Sequence, residues 1–211
     1  MKSVIGDSRD EPEAPVEHGR PIRADARRNL DALLRAAMAA FTELGVDAPM
    51  REIAARAGVG VGTLYRHFPQ RSDIIKAIIQ QEVDACVEAG AAFAATQEPG
   101  EALASWMLRL IDFVATKRGL GPALHSGDPA FQSLPEYVLG QLTPTLRRLL
   151  DNAAAAGAIR DDVDAGELLL AGLQLATPTS GGDTAQARRM IALLVDGLRY
   201  GAGGPAKSSE G

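Results

Sequence analysis

Apolar positions along most of the chain recur every three or four residues. Leu30, Leu33, Leu34, Ala37, Phe41 and Leu44 share one stripe, which predicts a first helix from Arg23 to Leu44 with Gly45 as its stop. Asp47, able to cap, and Pro49 open a short segment to Ala57 with Ile53, Ala54 and Ala57 on one side. Gly58 ends it, because a left-handed residue after a helix costs least as glycine. Helix resumes at Gly60 or Val61 and runs to Phe68, where Pro69 terminates it. Ser72 and Asp73 are suited to cap a long fourth helix to Thr96, whose Ile75, Ile78, Ile79, Val83 and Val87 are periodic. Beyond Pro99 and Gly100 a fifth helix carries Leu103, Trp106, Leu110, Phe113 and Val114 and ends near Arg118. The looser stretch LGPALHSGDPAFQS leads to a helix from Leu134 to Ala156, with a kink or break expected at Pro144, where Thr143 could cap a fresh start. Two apolar helices, about Ala165–Ala176 and Thr184–Tyr200, close the pattern. No stretch alternates with a period of two, so the expected fold is all-α.

Residues 1–21 are rich in Pro, Glu, Asp and Gly without periodicity, and 202–211 read the same way; both are expected to be disordered tails. The 211 residues, 46% of them hydrophobic, suffice for one large domain or two small ones. No uncharged apolar run approaches the ~18 residues of a membrane span, and the first residues lack the apolar core of a secretory signal. A soluble cytoplasmic protein is expected, with no membrane partner. The single cysteine, Cys86, excludes an internal disulfide and any multi-cysteine metal site, and His18, His67 and His125 stand at no ligand spacing. No metal and no cofactor are expected. Gly-x-Ser-x-Gly, His-Glu-x-x-His and phosphate-loop patterns are absent, and Asp161-Asp162 reads as a solvated cap, so catalysis is not expected either.

Charge is unevenly spread. Residues 20–76 hold 10 basic and 6 acidic side chains, whereas residues 77–211 hold 10 and 16. A basic segment on an acidic body suits a polyanion-facing surface, although a mixed solvated face would look alike. The order of elements within that segment narrows the choice, because two short helices joined by a glycine-bearing turn behind a longer first helix have the spacing of a helix-turn-helix. Ile53, Val59, Leu64 and Phe68 then face inward against Leu34, Ala37 and Phe41. Thr63, Tyr65, Arg66 and His67 are left outward, where a recognition helix meets base edges and phosphates, and Gly60 and Gly62 permit a close backbone approach.

The stretch IAARAGVGVGTLYRHFPQRSDII, from Ile53 to Ile75, resembles the DNA-binding segment of the TetR family of transcriptional regulators. The resemblance implies a helix-turn-helix domain over residues 22–71 and a helical effector-binding and dimerisation domain over 72–201. It departs at Val61, where family members often carry lysine, and at Ala48-Pro49, where a Ser or Thr is common; Arg51 and Arg66 could compensate. Carried over by position, Tyr65, His67 and Arg71 would meet phosphates, and Thr63 and Arg66 would lie nearer bases. For Tyr65 and His67, partial packing beside Phe68 is the alternative.

The family's architecture further implies a homodimer on a palindromic double-stranded operator and release by a small-molecule effector that shifts the fourth helices. Leu168, Leu169, Gly172, Leu173, Ile191, Leu194, Val195 and Leu198 are the candidate dimer seam, with intrachain core as the alternative. Phe93, Trp106, Met107, Leu110, Phe113, Leu124 and Tyr137 are candidate pocket residues, with core again the alternative. His125 could meet a ligand or serve the loop, and Cys86 reads as a small buried hydrophobe. The function expected is a dimeric, effector-released repressor; a constitutive binder or an activator whose C-terminal half only dimerises is the alternative.

Overall fold

The stripes that the helical period lines up are buried together. The computed structural model describes residues 20–177 and 184–200, and among them no strand occurs. In chain order the helices are α1 (Arg20–Leu44), α2 (Met50–Ala57), α3 (Val61–His67), α4 (Arg71–Thr96), α5 (Pro99–Thr116), α6 (Gly121–Leu124), α7 (Leu134–Ala155), α8 (Ala165–Ala176) and α9 (Thr184–Arg199), with 3-10 turns at Lys117–Leu120 and Pro129–Phe131. Arg20 and Pro21, expected in a tail, belong to α1; the rest of both expected tails lies outside the described residues, as does most of the stretch between α8 and α9.

Phe41, Ile53 and Leu64 are wholly buried, and Phe68 nearly so, which ties α1, α2 and α3 into one unit. Ile74, Ile75 and Ile78 extend the same core into the first turns of α4. In the larger half α5 is central, packing on α4, α7, α8 and α9 and burying Trp106, Met107, Leu110 and Phe113 completely. The indole N–H of Trp106 donates to the Cys86 carbonyl at 2.9 Å, so the largest core side chain leaves no orphan donor. The 3-10 turn after α5 touches α1, so the two halves meet there as well as along α4. A Cβ on Gly119, in that turn, would sit 3.3 Å from both Met38 Cε and Thr42 Oγ1.

Three local readings change. Asp47 does not cap α2: Pro49 holds the N-cap position without a side-chain bond, and the Asp47 carboxylate accepts from Arg71 instead. The cap of α4 is Gln70, in a reciprocal box where the Gln70 N–H donates to Asp73 Oδ2 at 3.0 Å, while Ser72 is buried. Helix α7 continues through Pro144 because Leu142, Thr145, Leu146 and Leu149 are buried on its inner face, and tertiary packing outweighs one missing N–H.

Asp164 caps α8, its Oδ1 accepting from the N–H groups of Gly166 at 2.8 Å and Glu167 at 3.0 Å. Those two bonds, with Arg147 adding a smaller effect, hold its carboxyl below the usual carboxylate range. A depressed carboxyl stabilises above its unfolded pKa of ~3.9 and loses that contribution as pH falls through the folded value. Asp164→Ala should therefore lower Tm at pH 7, Asp164→Asn should retain most of it, and the alanine deficit should narrow below about pH 4 in a thermal-melt series.

Candidate nucleic-acid interface

Helix α3 is seven residues long and owes its placement to its two ends. Gly58, with φ of 68°, turns the chain after α2, and its N–H returns to the carbonyls of Ala54 and Ala55. The N–H groups of Thr63 and Leu64 both bond the Gly60 carbonyl, at 2.9 and 3.1 Å, which starts α3 directly. Wholly buried Leu64 and nearly buried Phe68 then fix the rotation of the helix.

That rotation leaves Val61, Tyr65, Arg66 and His67 exposed and Thr63 half-buried. Tyr65 is 48% exposed, so about half of its surface faces solvent. The His67 ring stands 6.4 Å from that of Phe68, tilted by 46°, and is exposed too. A Cβ on Gly62 would meet nothing within 4 Å, and one on Gly60 only Thr63 Oγ1 at 3.9 Å. Neither glycine has a positive φ. Nothing inside the chain requires glycine at either position, and the surface they leave bare is open to an approaching partner. Gly62→Ala should raise thermal stability, by up to ~1 kcal/mol in helix propensity, while weakening binding to duplex DNA in a titration.

The arginines of this region divide into two pairs. Arg56 donates to Glu43 at 2.6 Å and Glu52 at 2.8 Å, joining α1 to α2; the hydrogen bond from Arg56, then its charge, holds the Glu43 carboxyl below the usual range. Arg71 donates to Asp47 Oδ1 at 2.8 Å and to the Ala48 carbonyl at 3.1 Å, so it clips the α1–α2 loop to the start of α4. The phosphate contact expected of Arg71 would have to compete with that clip. Arg51 and Arg66 are exposed and make no ion pair among the described residues, which leaves their charge available.

Residues 33–78 match the family model described as bacterial regulatory proteins, tetR family, and residues 98–200 match one described as a transcriptional regulator SbtR-like C-terminal domain. A solved TetR transcriptional regulator from Streptomyces coelicolor is 38% identical, with a TM-score of 0.68 over 81% of this chain and 98% of that one. The chain belongs to the TetR family of transcriptional regulators. A TetR transcription regulatory protein from Mycobacterium vanbaalenii is 33% identical, with a TM-score of 0.66 over 85% of this chain and 99% of that one. An HTH-type transcriptional regulator of Staphylococcus aureus is 41% identical over 64 residues; the match covers 30% of this chain and 35% of that regulator's length.

In this TetR-family chain the remaining candidate residues are distributed differently from the expectation. Trp106, Met107, Leu110 and Phe113 fill the centre of the helical half, while Phe93, Leu124 and Tyr137 are half-buried at its margins. Burial, with a smaller effect from Asp84, raises the Tyr137 hydroxyl pKa. Clefts of about 440, 520 and 710 Å³ are lined by other residues, two of them beside α1 and α4 and one along α7. Exposed His125 has its Nδ1 2.8 Å from the Gly121 carbonyl, within its own loop, and Cys86 is wholly buried.

Of the expected dimer seam, Leu168, Leu169, Gly172, Ile191, Val195 and Leu198 are buried within the chain, and only Leu173 and Leu194 are half-buried. A Cβ on Gly172 would come within 2.9 Å of Met107 Cε, so this glycine serves the α5–α8 approach. The outward apolar residues are Leu170, 51% exposed, and Leu193, 63% exposed, beside exposed Ala171, Ala192 and Gly197. Their signal in the sequence is that α8 is apolar but for Glu167 and Gln174, more than one buried stripe needs.

Proposed function

We propose that this chain is a dimeric repressor of the cytoplasm, which binds a palindromic operator through residues 22–71 and is released by a small molecule bound within residues 72–201. The observation that carries the reading is the α3 surface, where Thr63, Tyr65, Arg66 and His67 border two glycines that nothing in the chain requires, with Arg51 free alongside. Arg66 is the candidate for a bidentate guanine contact, Tyr65 and His67 for phosphates. Leu170 and Leu193, with small residues around them, support a two-fold seam on α8 and α9, where an isologous patch covers itself. Two α3 helices in such a dimer would sit one duplex turn apart, about 34–36 Å.

The mechanism is a population shift. An effector that prefers the non-binding arrangement by the typical ~1–3 kcal/mol of coupling would weaken operator affinity; one without preference would shift nothing. The completely packed centre around Trp106 favours a second reading, in which the helical half dimerises and no effector enters.

Selection of random duplexes with the purified protein, at fixed salt because phosphate contacts dominate affinity, tests the proposal. Enrichment of a palindrome with half-sites one turn apart is the expected result. Enrichment of a single, non-repeated site would reject the dimeric mode, and enrichment of nothing would reject sequence-specific binding. A small-molecule screen against the selected operator separates the effector-released repressor from the constitutive one.

A further inference from the structure

Helix α3 opens with an apolar side chain held in solvent. Val61 is 39% exposed at the first helical position, and Tyr65, one turn on, is 48% exposed. Residues four apart share a side of a helix, so the aliphatic and aromatic surfaces adjoin. Gly60 and Gly62 flank Val61, and a Cβ on Gly62 would meet nothing within 4 Å. Burial of Leu64 and Phe68 fixes the helix's rotation, so Val61 cannot turn inward. A β-branched residue here also forms helix less readily than alanine. Within the chain, Val61 therefore gains less from its size than a wholly buried valine would.

Against duplex DNA its options are few. Valine carries no charge for a phosphate and no donor or acceptor for a base edge. The apolar group that the major groove displays is the C5-methyl of thymine. We infer that Val61, with the Tyr65 ring beside it, reads a thymine methyl in each operator half-site, so that this position contributes base specificity instead of a phosphate contact. The inference rests on the duplex-binding function proposed above.

The test alters the DNA by one methyl group and leaves the protein unchanged. From the duplexes selected by the wild-type protein, each thymine of a half-site is replaced in turn by deoxyuridine, and binding is titrated for wild type and for Val61→Ala. One thymine per half-site should respond in the wild type, with affinity falling about fourfold per methyl and about fifteenfold when both half-sites are changed, as expected for ~0.8 kcal/mol per buried methyl-sized group. Val61→Ala should bind the thymine and deoxyuridine duplexes within about twofold of each other, with Tm changed by no more than about 2 °C, as for a part-exposed position. A selected operator in which no thymine methyl matters, or a methyl response that survives in Val61→Ala, overturns the inference while the DNA-binding function stands. Failure of the wild type to select any sequence removes both.

Discussion

Alanine at position 90 is expected to lower the melting temperature by several degrees, although the substitution adds one carbon to a helix and alanine is the better helix former. Gly90 is buried on α4, where that helix meets α7 and α5. A Cβ there would be driven into Thr145 Cγ2 and would stand 3.1 Å from the Trp106 indole nitrogen. Neither neighbour can step aside easily. Thr145 is β-branched and 3% exposed, and Trp106 is tethered to the Cys86 carbonyl. Overpacking of this kind costs about 1–3 kcal/mol, against ~1 kcal/mol regained from helix propensity at most. At roughly 2–4 °C per kcal/mol for a chain of this size, the loss is readable in a thermal melt. Thr145→Ser removes the offending methyl and should restore part of the loss in the double variant, giving a coupling that independent sites would not show. A Gly90→Ala protein as stable as wild type, or one that Thr145→Ser does not rescue, would mean that α4 and α7 can separate without penalty.

Arg66→Ala is expected to leave Tm unchanged and to weaken operator binding by about 5- to 150-fold per half-site, the range for loss of a good bidentate base contact. The side chain is exposed and makes no ion pair among the described residues, so its removal disturbs no internal partner. Arg71→Ala should behave in the opposite way. It releases Asp47 and the Ala48 carbonyl, loosens the α1–α2 loop from α4 and lowers Tm. The salt dependence of DNA binding should remain that of wild type. If Arg71 meets a phosphate, its loss reduces the slope of log K against log salt by about 0.9 for each phosphate contact. Titrations at three or four salt concentrations, with melts of the same preparations, decide between the two roles. A shallower slope with an unchanged melt would place Arg71 on the DNA surface.

Much of the recognition unit was legible in the chain because its determinants are local. Gly58, Gly60 and Pro69 punctuate two short helices, and Leu64 and Phe68 mark the buried side, so the outward set Thr63, Tyr65, Arg66 and His67 follows from helical geometry. The fate of a cation is not local. Arg56 has Glu52 one turn before it, but its other partner Glu43 and Arg71's partner Asp47 lie 13 and 24 residues away, so in the sequence Arg71 looks as available as Arg51 and Arg66. Neither cap followed from residue type: Asp164, and not the Asp161-Asp162 pair, caps α8, and Asp47 is claimed by a distant arginine.

The helices other than the short α6, the turn glycines and the family resemblance were thus determined by the sequence alone, since periodicity acts within a few residues. Only the tertiary structure decided how the apolar helices use their surfaces. Helix α8 is apolar apart from Glu167 and Gln174, and hydrophobicity alone does not separate Leu169, wholly buried against the same chain, from Leu170, which is left in solvent. The same holds for the stripe of α5, whose Trp106, Met107, Leu110 and Phe113 could line a cavity or fill one. Which occurs depends on four neighbouring helices closing over α5, and on Gly90 and Gly172 letting two of them approach closely. Hydrophobicity commits a side chain to leaving water, but the partner it leaves water for is set by the packing of elements remote in the chain.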